Sequence, residues 1–119
     1  IMTEQDLATS VTENIPVTVV VLNNGLLGMV AQWQRMGIGG ARSKRYSAVK
    51  LGNVPDFAKL AEAYGAKGAR VETLDGFVEA AKRAVKSDVT TVIDVPISPE
   101  ENVFPLVPAG GALRDMMWE

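Results

Sequence analysis

The chain offers few side chains for acid–base chemistry near neutral pH. Its 119 residues include no histidine and no cysteine. That excludes thiol nucleophiles, Cys/His zinc centres and His-based triads within the chain. The residues that could act together stand at one corner, Asn23-Asn24-Gly25, where the apolar run Val17–Leu22 stops. Asparagine carbonyl oxygens are hard ligands that suit Mg2+ or Ca2+, usually completed by a carboxylate, water and phosphate oxygens. Gly25 and Gly28 let the backbone approach a ligand, and a helix starting near Leu26 aims its N-terminal amides at an anion. The corner reads as a metal–diphosphate site short of its carboxylate, or simply as an Asn-Asn-Gly turn. With so few proton-transfer groups, a bound cofactor is the expected reagent.

The surrounding pattern supplies the elements that would position this corner. Thr3 is expected to cap a first helix, with Glu4 and Asp6 in its first turn, Leu7 and Val11 on its apolar stripe, and Asn14 and Pro16 at its end. Val17–Leu22 is apolar almost throughout, as in a parallel strand covered on both faces. Leu26, Met29, Val30 and Trp33 then recur at i, i+3, i+4 and i+7, which predicts a helix to about Met36. On spacing alone those four residues form a core-facing stripe. Gly37, Gly39 and Gly40 open a long loop to Asn53, a length often tied to function. A helix follows Pro55-Asp56, with Phe57, Leu60, Ala61 and Tyr64 on one face and Gly65 as its stop. A short strand is expected near Ala69–Val71. Thr73 then caps a helix that buries Leu74, Phe77, Val78, Ala81 and Val85, and the strand Val89–Val95 closes the pattern. This order predicts an α/β fold, a parallel sheet with flanking helices. Residues 1–97 read as one domain, and 98–119, in a proline-rich stretch that begins at Pro96 and continues with Pro99, Pro105 and Pro108, as an extended apolar arm packing on a larger protein or a partner subunit. A helical patch is expected at Leu113–Trp118.

Composition sets outer limits. Hydrophobic residues make up 47% and charged residues 22%, as in a globular chain with a real core. No apolar run approaches the ~18 residues of a membrane span, so no membrane association is expected. A net charge of -2 gives no overall attraction to nucleic acid. Arg42, Lys44, Arg45 and Lys50 form a local basic cluster, read either as a solvated loop or as a phosphate or partner contact. No signal segment opens the chain, and its start at Ile1 leads us to expect further sequence upstream.

Nearly the whole chain, from Met2 to about Gly111, resembles the C-terminal thiamine-diphosphate-binding domain of the acetolactate (acetohydroxyacid) synthase catalytic subunit. The residues that carry the resemblance are MTEQDLAT at 2–9, NIPV at 14–17, VLNNGLLGMVAQWQ at 21–34 and RYS at 45–47. PDFAKLAEAYGAKGARVE at 55–72, VIDV at 92–95 and PEENVFPLVPAGGAL at 99–113 continue it. The Asn-Asn half of the signature is shared by thiamine enzymes in general; the GMV-x-QW continuation and the ENVFP-x-V-P tail are narrower.

The resemblance implies specific roles. Asn24 would bind Mg2+ through its side chain and Leu26 through its backbone carbonyl, while Gly25, Gly28 and Met29 would lie along thiamine diphosphate. Met29, Val30 and Trp33 would form the helix face over the reacting carbon, with Trp33 shaping the pocket for a second 2-oxo acid and for channel-plugging herbicides. The implied reaction joins pyruvate to pyruvate or 2-oxobutyrate with loss of CO2, in branched-chain amino-acid biosynthesis. The resemblance also implies FAD in a middle domain outside this chain and a homodimer or homotetramer with active sites between subunits. A regulatory small subunit, and a cytoplasmic or organellar setting, belong to the same expectation. The Gly-Asp-Gly half of the signature, which holds the carboxylate ligand, is absent, and the segment between Trp33 and Arg45 is longer than in the family. The family's activating glutamate belongs to a separate N-terminal domain. Sister thiamine enzymes (a pyruvate oxidase, a glyoxylate carboligase or a benzoylformate-type decarboxylase) and a non-catalytic domain that only binds or assembles are the competing readings.

Overall fold

The computed structural model describes residues 3–36 and 47–118. Gly37, Gly39, Gly40, Arg42, Lys44, Arg45 and Tyr46, which belong to the expected glycine-rich loop and basic cluster, lie outside the described residues. The chain divides into two compact units, one formed by 1–24 with 53–97 and the other by 25–52 with 98–119.

The first unit is built on three parallel strands, β1 (Thr18–Asn23), β2 (Lys67–Arg70) and β3 (Thr91–Pro96), in the order β1-β3-β2. Thr18 pairs with Thr91 and Lys67 also pairs with Thr91, so β3 is the central strand and carries both ladders. Alternation along β3 turns Val92 to one face and Ile93 to the other. Val92 packs with Leu7 and Val11 of helix α1 (Asp6–Thr12), with Phe57 and Ala61 of helix α3 (Phe57–Ala63), and with Val21 and Ala66. Ile93 packs with Phe77, Ala80, Ala81 and Ala84 of helix α4 (Leu74–Val85), and with Val71 and Val95. Helices thus cover both faces of a parallel sheet, the fold class expected from the sequence.

Several elements depart from expectation for identifiable reasons. The two-sided burial expected of Val17–Leu22 falls to β3 instead. As an edge strand β1 leaves Val19, Val20 and Leu22 exposed, Leu22 at 65%. Helix α1 has Gln5 at its N-cap and no side-chain cap; Thr3 instead accepts through its carbonyl from the Asp6 N–H. The buried stripe of α4 is Phe77, Ala80, Ala81 and Ala84, while Leu74, Val78 and Val85 are exposed. Alanines at the contact let the helix approach the sheet closely, which rotates the larger side chains outward.

The helix ends follow the sequence more closely. Asp56 caps α3, accepting from the Lys59 N–H at 3.1 Å, and that bond holds its carboxyl below the usual carboxylate range. Gly65 ends α3 with φ of 83°, and the bonds Gly65 N–H to Glu62 O and Ala66 N–H to Ala61 O form a Schellman motif. Thr73 caps α4 by accepting from the Gly76 N–H.

The second unit contains helix α2 (Gly28–Arg35) and the C-terminal residues 98–118. Gln32 is 1% exposed and clasps Val103: its Nε2 donates to the Val103 carbonyl at 2.9 Å and its Oε1 accepts from the Val103 N–H at 2.8 Å. Leu106 pairs with Met117 in an antiparallel bridge. The helical patch expected at Leu113–Trp118 is a single 3-10 turn, Leu113–Asp115.

Candidate functional site

Asn23 and Asn24 close the first unit at the carboxyl end of β1. Asn23 is held at its backbone, where its carbonyl accepts from the Ile97 N–H at 3.0 Å. Its side chain is held too, with Nδ2 donating to Asp94 Oδ1 at 3.1 Å. Asp94 is 2% exposed in the middle of the sheet, and its Oδ2 accepts from Arg70 Nη1 at 2.9 Å. In open α/β sheets, ligands bind outside the carboxyl ends of the strands, which is where this polar cluster stands.

Gly25, Leu26, Gly28, Met29, Val30 and Trp33 belong to the second unit. Gly25 has φ of 65°, a conformation that favours glycine, and a Cβ placed on it would meet nothing within 4 Å. Leu51 N–H donates to the Gly25 carbonyl and Leu27 N–H donates to the Val49 carbonyl, on either side of an antiparallel bridge between Leu26 and Lys50. In such a bridge the flanking residues make the hydrogen bonds, so the N–H and C=O of Leu26 are turned away from Lys50. Helix α2 starts at Gly28 with Leu27 as its N-cap and no side-chain cap. Its helical ladder leaves the first-turn N–H groups facing outward along the axis.

The core-facing stripe expected from spacing does not form on this helix. Met29 is 44% exposed and Val30 47%, whereas Ala31 and Gln32 are the buried pair; Trp33 is half-buried. Large apolar side chains held in the open, at the start of a helix with an uncapped N-terminus, fit a surface that meets a ligand or another chain better than a core.

Within the second unit, the open space at Gly25 and the uncapped α2 amides would suit the diphosphate of thiamine diphosphate approached closely by backbone. Within the first unit, an asparagine oxygen at the end of β1 would suit a hard cation such as Mg2+. Among the described residues no group of three or more acidic, His or Cys side chains could hold a metal.

The sequence points to Asn24 and the glycines but not to the roles of Asp94, Arg70 and Gln32. The available signal for Asp94 was a lone carboxylate inside the apolar strand VIDV, where an unpaired charge is too costly to bury. Its partners lie 71 and 24 residues away, which spacing could not reveal.

A parallel sheet with helices on both faces defines an α/β domain. Residues 1–95 match the family model described as thiamine pyrophosphate enzyme, C-terminal TPP binding domain, and the chain belongs to that family. The chain is 41% identical over 117 residues to a probable acetolactate synthase large subunit of Methanocaldococcus jannaschii, spanning 98% of this chain and 19% of that protein. It is 38% identical over 120 residues to the acetolactate synthase isozyme 3 large subunit of Escherichia coli, with 98% and 20% covered. Among solved structures, a thiamine diphosphate-dependent 4-hydroxybenzoylformate decarboxylase of Rhodococcus jostii RHA1 superposes with a TM-score of 0.70. It shares 29% identity and is covered over 83% of this chain and 18% of its own. The chain therefore spans about a fifth of the length of the relatives it matches.

Proposed function

We propose that this chain is the thiamine-diphosphate-binding end of an acetolactate synthase catalytic subunit, which condenses pyruvate with pyruvate or 2-oxobutyrate and releases CO2. The observation that carries the reading is the strand–Asn-Asn–Gly–helix corner, in a chain whose acetolactate synthase relatives reach 42% identity. Thiamine diphosphate, when bound, supplies the nucleophilic carbon and the electron sink for decarboxylation and carboligation. The residues of this chain bind and orient. Asn24 offers its side-chain oxygen to Mg2+, Leu26 its carbonyl to the same ion, and Gly25, Gly28 and Met29 line the diphosphate. Met29, Val30 and Trp33 form the helix face over the reacting carbon and exclude water, and Trp33 shapes the space for the second 2-oxo acid.

The remaining parts are supplied elsewhere in this reading. The missing carboxylate ligand, the activating glutamate and an FAD domain belong to other segments of the parent, which works as a homodimer or homotetramer with a possible regulatory small subunit. The 119 residues alone are then inactive. The second reading, a decarboxylase of the benzoylformate type, draws on the 0.70 TM-score to the 4-hydroxybenzoylformate decarboxylase. Product analysis of the full-length parent with pyruvate tests the choice. Acetolactate supports the synthase, and acetaldehyde or acetyl phosphate as the main product overturns it in favour of a sister enzyme.

A further inference from the structure

Asp94 is a buried carboxylate that the proposed chemistry does not use. Taking such a group out of water is costly, and the cost is offset only where both oxygens are satisfied and the charge is paired. Arg70 supplies the pairing at 2.9 Å to Oδ2, with its own guanidinium half-exposed and also 3.6 Å from Glu72. That leaves Oδ1 facing Asn23 Nδ2 at 3.1 Å. A carboxylate only accepts hydrogen bonds, so it selects the amide nitrogen of Asn23 and sets which way the amide plane lies. The Asn23 carbonyl is fixed in turn by the Ile97 N–H. Asn23 is thus held at side chain and backbone immediately before Asn24.

We propose that Asp94, charge-paired with Arg70, is a positioning residue for the metal corner: by fixing Asn23 it fixes the direction in which Asn24 presents its oxygen to a divalent cation. This rests on the assignment of Asn24 as a Mg2+ ligand in the proposed function. Residues that orient a metal ligand in this way change metal affinity by roughly 10–100-fold when removed.

The test is Mg2+ binding to the full-length parent in the presence of thiamine diphosphate, measured by calorimetric titration alongside thermal melting of the metal-free protein. In Asp94→Asn the new amide cannot serve both the Arg70 donor and the Asn23 donor, so the Mg2+ dissociation constant rises roughly tenfold or more. Adding Asn23→Ala to that background weakens Mg2+ no further, because both changes remove the same restraint. Arg70→Gln, at a half-exposed position that tolerates substitution, shifts Mg2+ affinity the same way by a smaller factor and decides the matter if Asp94→Asn does not fold. A fall in melting temperature with an unchanged Mg2+ dissociation constant in the folded variants overturns the inference and leaves Asp94 a structural residue. Asn24→Ala is the separating control. If it leaves Mg2+ binding intact, the metal assignment itself fails; if it weakens Mg2+ and the Asp94 and Arg70 variants do not, only the positioning role fails.

Discussion

Gln32 and Val103 hold each other through two hydrogen bonds, the buried glutamine amide reading both the N–H and the carbonyl of one residue 71 positions later. This is how the C-terminal segment is tied to α2 inside the second unit. An extended, proline-rich stretch makes few backbone bonds of its own, so one side chain that satisfies two at once matters more there than in a sheet. Gln32→Leu leaves the Val103 groups to water and is expected to cost about 0.5–1.5 kcal/mol per hydrogen bond lost. Limited proteolysis checks it: cleavage within 98–112 should accelerate, and an unchanged rate contradicts the anchoring role.

Gly68 of β2 lies close against Ala58 of α3. A Cβ there would stand 2.1 Å from the Ala58 carbonyl oxygen, a distance at which backbone must move. Gly68→Ala is therefore expected to destabilise the protein by about 1–3 kcal/mol or more, although alanine normally favours an ordered backbone. Chemical denaturation of the parent reads the change; equal stability would mean that α3 does not sit this close.

Asp56 gives a pH dependence with a definite sign. Its carboxyl is held below its ordinary value of 3.8, chiefly by the Lys59 backbone N–H. A depressed folded-state value means that the stabilisation is present above the unfolded value and is lost as pH falls through the folded one. The stability gap between the protein and Asp56→Ala should stay constant near neutral pH and narrow below about pH 3.8. A gap that widens in acid contradicts the assignment.

Met29 and Val30 separate binding from packing. Both are nearly half exposed, so Met29→Ala and Val30→Ala should each change stability by less than about 1 kcal/mol. In the proposed function they form, beside Trp33, the helix face over the reacting carbon, so the ratio of products from pyruvate and 2-oxobutyrate mixtures should shift. A marked loss of stability with unchanged product ratio would return them to the core.

The parts legible in the sequence were those written locally. The helix start at Pro55-Asp56, the Thr73 cap and the Gly65 stop are legible because each uses a residue within four positions of its partner. What was not legible depended on neighbours far along the chain. Val17–Leu22 reads as a two-sided strand by composition, yet strand order decides burial, and β3 takes the central place. The stripe of α4 was misphased because Ala80 and Ala84 carry little hydrophobic signal, although their small size is what lets them face the sheet. At the site, the Asn-Asn-Gly corner was visible as a motif. The Asp94–Asn23 bond beneath it was not, since it joins residues 71 apart.

The most direct test of the account is the Mg2+ and thiamine diphosphate affinity of the full-length parent carrying Asn24→Ala. Loss of a side-chain metal ligand should weaken cofactor binding by roughly tenfold or more, with the metal-free protein folded as before. Cofactor affinity equal to that of the unaltered protein would contradict the claim that the corner at the end of β1 holds the metal.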